Sequence, residues 1–258
     1  MPTAAQNLVH GTPHPHLGPA VAGYLGCGTF WSGRASWQLL PRGFVVLLLD
    51  LDRCGALVAG LHDHAIRCTR SGRYRGIAVG LRPTAAFAML GVDLSCLGRQ
   101  WCVFADQLGS VVRDLLGRLS DAVDWPTRFA LLDQFLLAAP PTPIDLAELA
   151  WQRLCEAHGA LTALATQLSV STRTLETHFR RQIGVSPKNA ARILRFHHAV
   201  RLLDRPNADL ARVAHDCGFT DHAHFAKEVR AMTGYTPPNS APASGSSDFY
   251  KSNPTRGR

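Results

Sequence analysis

The sequence predicts an α+β protein: a β-rich N-terminal domain with following helices, linked to an all-α C-terminal domain of two helix-turn-helix units joined by a long helix. Three observations predict this. Short apolar or alternating stretches, separated by Gly, Asp and Arg, fill residues 20–81. After Arg82-Pro83 the apolar period changes to that of helices. Beyond Pro140-Pro-Thr-Pro143, one two-helix pattern occurs twice.

In the first part, strands are expected over residues 20–30, 44–51, 56–61, 64–69 and 74–81. The run Phe44-Val-Val-Leu-Leu-Leu49 has the continuous apolarity of a strand buried on both faces. Residues 83–90 read as a short helix closed by Gly91. Leu108, Val111, Val112, Leu115 and Leu119 mark a longer helix capped by Asp106, and Phe129, Leu132, Phe135 and Leu136 mark another after Trp125-Pro126. The domains are therefore expected at 1–139 (sensing or dimerising), 140–143 (linker) and 144–238, with a disordered tail at 239–258 rich in Ser, Pro, Asn and Gly.

The first copy of the repeated pattern runs from Ala165 to Phe179 and closes with Gly184-Val-Ser-Pro187. The second runs from Ala214 to Phe225 and closes with Gly234-Tyr-Thr-Pro237. The opening alanines are 49 residues apart and the closing tetrads 50, so the second turn carries one extra residue. In copy one, Leu161, Leu164, Ala165 and Leu168 give a helix with one apolar face, and Ser169-Val170 breaks it. Ser171 is a good N-cap for a second helix that buries Leu175, Phe179 and Ile183 and presents Thr172, Arg173, Glu176, Thr177 and Arg180 outward. In copy two, Leu210, Val213, Ala214 and Cys217 form the supporting face, and Gly218-Phe219 makes the turn. Thr220 or Asp221 caps a helix burying Phe225, Val229 and Met232 and exposing His222, Ala223, His224 and Lys227. Such units lay their second helix in the major groove.

Between the copies, Ser186-Pro187 opens a helix whose stripe of Ile193, Phe196, Val200 and Leu203 runs until Asp204-Arg-Pro206. Its span from 187 to 203 is roughly 25 Å, near the ~34 Å between successive major-groove faces. A helix over 145–158 supports copy one, with Asp145 and Glu148 at capping-box spacing. From Ser171 to Arg201 there are seven basic residues (Arg173, Arg180, Arg181, Lys188, Arg192, Arg195, Arg201) and one acid, Glu176. On helices already marked by the repeat, that excess is the footprint of phosphate contact rather than a merely solvated face.

These residues resemble the AraC/XylS-type transcription regulators. The resemblance rests on 170–179 with Gly-Val-Ser-Pro187, on Arg192-Ile-Leu-Arg-Phe-His-His-Ala-Val-Arg-Leu-Leu203, and on Ala214-x-x-x-Gly-Phe219 with Phe225 and Gly-Tyr-Thr-Pro237. It implies a seven-helix DNA-binding domain over about 145–238, with base-facing positions at Arg173, Glu176 and Thr177 in the first unit. His222, Ala223, His224 and Lys227 are their counterparts in the second. Val229 stands where the family usually has an aromatic, and His222 and His224 replace the more usual amide or hydroxyl side chains. Gly80-Leu-Arg-Pro83 and Met89-Leu-Gly-Val92 resemble a β-rich N-terminal domain of some regulators in this family.

The expected function is thus a sequence-specific DNA-binding transcriptional regulator, not an enzyme. Double-stranded DNA is the partner, and RNA polymerase, a small-molecule effector and a second copy through the N-terminal domain are further candidates. The alternatives are a cysteine-dependent enzyme or an architectural DNA binder on the same module. The net charge of +8 over 258 residues suits a polyanion partner. No apolar run reaches the ~18 residues of a membrane span, and no signal peptide is legible. Seven cysteines without a CxxC point to a reducing, cytoplasmic and nucleoid-associated setting. No cofactor or metal is expected: His10, His14 and His16 read as exposed residues of a Pro-rich leader, and His62/His64 lacks completing ligands. Trp31, Trp37 and Trp101 read as core packing before pocket lining.

Overall fold

Residues 45–50 carry no polar side chain before Asp50, and all six are buried. They form β3 (Val45–Asp50) in the middle of a six-stranded sheet that also contains β1 (Asn7–Gly11), β2 (Val21–Leu39), β4 (Gly55–Ala59), β5 (Ile66–Leu81) and β6 (Cys102–Val103). The order is β1-β2-β5-β3-β4-β6, every neighbouring pair antiparallel. The computed structural model describes residues 7–97, 102–103, 109–139, 144–157, 165–203 and 209–234.

Because side chains alternate along a strand, β3 sends Val45, Leu47 and Leu49 into one core, while Val46 and Leu48 join Phe44 in another. The second core is closed by the long β2–β5 pair itself. The β2–β5 pair shifts register between Trp31 and Ala35, and its far end brings Leu39, Ile66 and Cys68 onto Val46, Leu48 and Ala78. Two expected strands, 64–69 and 74–81, are therefore one. Arg70-Ser-Gly-Arg73 reads locally as a turn, but Arg70, Gly72 and Arg73 stay paired with β2 across a bulge, Gly72 taking the left-handed φ of +80° there.

The expected leader is also partly structured. Asn7–Gly11 pairs with β2 as an edge strand, and a short 3-10 turn follows at Pro15–Leu17. His10, His14 and His16 are exposed, as expected, but His14 caps that turn and donates its backbone N–H to Asp133 Oδ1 at 3.0 Å. Trp31 and Trp37 lie on β2, whereas Trp101 and the expected cap Asp106 fall outside the described residues.

Three helices cover the first core: α1 (Pro83–Leu90), α2 (Gly109–Asp121) and α3 (Trp125–Leu137). Gly91 ends α1 in the left-handed region and donates to the Phe87 carbonyl. In α2, Leu115 and Leu119 are buried and Val112 packs on the same core, as expected; Leu116 joins them, Val111 is exposed, and Leu108 lies outside the described residues. Asp124 caps α3, accepting the Thr127 N–H at 2.8 Å. The aromatics of α3 lie on bare backbone: a Cβ at Gly26 would come within 2.5 Å of the Trp125 ring, and one at Gly11 within 2.6 Å of Phe129. Tyr24 stacks on Phe129 and donates its hydroxyl to Asp133 at 2.8 Å.

The C-terminal part contains α4 (Leu146–Ala157), a helical turn at 165–167, α5 (Thr172–Ile183), α6 (Pro187–Leu203), α7 (Leu210–Asp216) and α8 (His222–Thr233). The linker at 140–143, Leu161 and Leu164, and everything from 235 onward lie outside the described residues.

Candidate nucleic-acid interface

Each helix-turn-helix unit is built by local chemistry. In the first, Val170 donates to the Ala165 carbonyl at 3.0 Å and Ser169 takes φ +54°, which turns the chain. Ser171 is extended, and its Oγ accepts the Thr174 N–H at 3.0 Å. A hydroxyl there satisfies one of the orphan donors of α5. Leu175, Phe179 and Ile183 are fully buried on one face, each burial contributing about 1.5–3 kcal/mol. Gly184 closes the helix with φ +91°.

The opposite face of α5 is open. Thr172, Arg173, Glu176, Thr177 and Arg180 are all exposed. Thr177 turns its hydroxyl back onto the Arg173 carbonyl at 2.8 Å. Arg181 is exposed too but leans the other way, its guanidinium 5.7 Å from the Phe87 ring of the N-terminal domain.

In the second unit, Asp209 caps α7, and Leu210, Val213, Ala214 and Cys217 are buried in a small core with Phe219 and Phe225. Gly218, at φ +69°, makes the turn. Asp221 rather than Thr220 caps α8, accepting the His224 N–H at 2.7 Å. Phe225 and Met232 are fully buried, while Val229 is only half-buried. Ala223 and Lys227 are exposed. His224 packs edge-on against Phe219, its Nδ1 3.3 Å from the Thr220 hydroxyl. The His222 side chain is outside the described residues.

Helix α6 has the bounds its sequence predicts. Ser186 caps it by accepting the Asn189 N–H, and Pro187 occupies the first helical position. Ala190, Ile193, Phe196 and Ala199 are buried, while Val200 and Leu203 are half-buried. Its basic residues have different surroundings. Lys188 is exposed. Arg195 is half-exposed, its guanidinium 5.7 Å from the Phe219 ring. Arg192 is engaged by two carboxylates, Glu228 of α8 at 2.6 Å and Asp63 of the N-terminal domain at 3.6 Å. Of the thirteen sequence-predicted contact residues, Arg192 is the one held in ion pairs among the described residues.

The first unit is joined to the N-terminal domain by packing that the sequence does not announce. Leu94, Leu97, Trp151, Phe179 and Ile183 belong to one continuous core. Asp145 caps α4 through the Ala147 and Glu148 N–H groups, but the expected return bond from Glu148 is replaced: its carboxylate takes the Thr84 hydroxyl and the Gln152 amide. Buried Gln182 donates to the other Asp145 oxygen. Asn189 donates to Asp63 at 3.3 Å, and Gly43 donates its N–H to His197 Nδ1 at 3.4 Å.

A family profile described as a helix-turn-helix domain matches residues 164–239. The HTH-type transcriptional activator RhaS of Escherichia coli O157:H7 is 35% identical over 75 residues, 29% of this chain and 27% of its own length. RhaS of the Escherichia coli strain SE11 matches to the same extent. The chain thus spans little more than a quarter of the length of these curated relatives. Among solved structures, ToxT from Vibrio cholerae O395 superposes with a TM-score of 0.42 at 9% identity, over 92% of this chain and 96% of that one. The unsaturated fatty acid-bound wild-type ToxT of strain SCE256 gives 0.43 at 8%, over 88% and 95%. At those scores nothing about ToxT transfers to this chain. With two capped units on one connecting helix, and with the profile and relatives matching over the same residues, residues 164–239 form a helix-turn-helix domain similar to that segment of the RhaS activators.

Proposed function

We propose that the chain is a sequence-specific DNA-binding transcriptional regulator that reads two adjacent major-groove segments and is controlled through its N-terminal domain. The observation that carries this reading is the pair of second helices, α5 and α8, each capped, each anchored by fully buried aromatic side chains, and each joined through α6. A helix of that length spans roughly 25 Å, which suits two successive turns of one duplex face. The relatives named as transcriptional activators support transcription as the process, with RNA polymerase as a further partner.

In this reading Arg173, Glu176 and Thr177 face bases in the first segment, and His222, Ala223, His224 and Lys227 in the second. Thr172, Arg180, Lys188 and Arg195 meet phosphates; Arg181 reaches one only by leaving Phe87, and Arg192 only by leaving Asp63 or Glu228. The setting is the cytoplasm, at the nucleoid. Among the described residues no helix is long and apolar enough to cross a membrane.

Against the cysteine-dependent alternative, as far as Cys27 and Cys217 are concerned, burial pushes the Cys27 thiol up to about 11 and raises Cys217, the opposite of what a thiolate nucleophile needs.

Because the two units expose unlike residues, each bound chain requires two unlike half-sites about one helical turn apart. Hydroxyl-radical footprinting on the best site tests this. Two protected segments of different sequence are expected; one segment per chain overturns the reading. If the N-terminal domain also dimerises, tandem sites gain avidity of about 10²–10⁴, measurable against single sites alongside sedimentation of the free protein.

A further inference from the structure

On the helix-covered face of the β2–β5 pair, at the start of α3, lies a cleft of about 500 Å³, lined by Gly28, Arg73, Arg75, Val123, Trp125 and Arg128 among others. The register explains its shape. Gly28 pairs with Arg75, and Arg73 lies two residues along the same strand, so both arginines project on the face where Gly28 leaves bare backbone. Trp125, at the start of α3, and Val123, almost fully exposed before it, form the apolar wall.

Three guanidiniums line it, against Asp52, which pairs with Arg75, and Asp124, which acts on Arg128. Arg75 is paired with Asp52 at 2.9 Å and reaches Ser120 at 3.4 Å. Arg73 is exposed and forms no ion pair among the described residues. Arg128 is buried, donates Nε to the Leu119 carbonyl at 2.9 Å and a second nitrogen to the Ala122 carbonyl, and lies 4.9 Å over the Trp125 ring. It has no carboxylate ion pair among the described residues. Burial and then Arg75 lower its pKa, against the pull of Asp124. Capping the end of α2 accounts for part of Arg128's fork. It does not account for a second and third guanidinium around the same hollow, which an entering anion would neutralise.

We propose that this cleft binds a small organic anion of metabolite size through a carboxylate or phosphate group. Arg73 supplies the free planar fork, Arg128 and Arg75 the fixed positive field, and Trp125 with Val123 the apolar wall. An apolar wall with a few convergent polar groups is the make-up of a small-molecule site, whereas a DNA backbone needs only the charge. The inference deepens the sensing role given to the N-terminal domain but does not depend on DNA binding.

The test uses the full chain and two probes, inorganic phosphate and benzoate, titrated calorimetrically at constant ionic strength balanced with chloride. One saturable site per chain is expected for at least one probe. Phosphate alone identifies a phosphate ligand, and benzoate alone a carboxylate. Arg73→Glu weakens that site at least tenfold with an unchanged melting midpoint, Arg73→Lys weakens it less, and Arg173→Gln leaves it intact. No saturable site for either probe, or wild-type affinity in Arg73→Glu, overturns the proposal. So does a loss in Arg73→Glu that appears only in DNA affinity. Failure of the wild-type chain to bind any DNA sequence-specifically, with the anion site present, would sink the transcriptional reading and leave this one standing.

Discussion

Arg192 of α6 stands between Glu228 of α8, 2.6 Å away, and Asp63 of the N-terminal domain, 3.6 Å away. Asn189, one turn earlier on α6, donates to the same Asp63 oxygen. One guanidinium therefore ties the N-terminal domain to the connecting helix α6 and to α8. The second unit has its own small core, so this ion pair is a specific restraint on where α8 lies relative to α5.

Arg192→Ala is expected to lower stability by about 1 kcal/mol, since the groups are only partly buried and solvent screens them. Glu228→Gln should cost about the same, and the double variant little more than either single one. Urea denaturation of the four proteins measures the coupling; strictly additive losses would show that the pair does no joint work.

Arg173 lies in the first turn of α5, exposed, where a guanidinium reaches guanine O6 and N7 bidentately. Arg173→Ala is expected to lose about 1–3 kcal/mol on the best site and to relax preference at one base pair. Lys188→Ala is expected to weaken specific and random DNA alike. Titrations at fixed salt decide it: equal losses of Arg173→Ala on both DNAs contradict a base-reading role.

Removing a helix cap is expected to act locally. Ser171→Ala and Asp221→Ala each free an N–H of the first turn, at about 1 kcal/mol. Because the second unit lacks the shared core that anchors α5, Asp221→Ala should speed amide exchange throughout α8, while Ser171→Ala affects only the start of α5. Hydrogen exchange by mass spectrometry separates the two patterns.

Gly184 takes φ +91°, and a Cβ there would sit 3.0 Å from the Leu94 carbonyl oxygen. Gly184→Ala combines backbone strain with a clash against the N-terminal domain, and should cost about 1–3 kcal/mol. Gly234 has a similar φ of +79° but open space around its Cβ position. Gly234→Ala is therefore expected to cost less, and thermal melts of the two variants compare them directly.

Burial, followed by Arg42, Arg201 and His198, lowers the His197 imidazole from 6.5 to about 3. Between those values the unfolded chain takes up a proton that the folded chain refuses. The stability is whole above pH 6.5 and is lost as the pH falls below it. His62, also lowered mainly by burial, adds to the same trend. His197→Gln should flatten the decline in melting temperature from neutral pH to about pH 5; an unchanged slope would show that His197 does not remain neutral in the fold.

The sequence by itself determined the two reading units, because their signals are local. Ser171, Gly184, Asp221 and Gly234 act within one turn of where they stand, and Leu175, Phe179, Ile183 and Phe225 repeat at the helical period. It also determined the doubly buried β3, since a run without polar groups tolerates no wet face. Only tertiary structure decided the rest. β1 is five residues beside prolines and histidines, and it becomes a strand because β2 offers it an edge. Residues 70–73 look like a turn, but their pairing with β2 across a bulge carries the strand through them. The fate of Arg192 depends on Asp63, far away in the chain, and on Glu228. Caps and periods spend their energy between near neighbours and leave a trace in the sequence. Cross-strand pairing and domain contact join residues far apart in the chain, and their partners can be found only once it is folded.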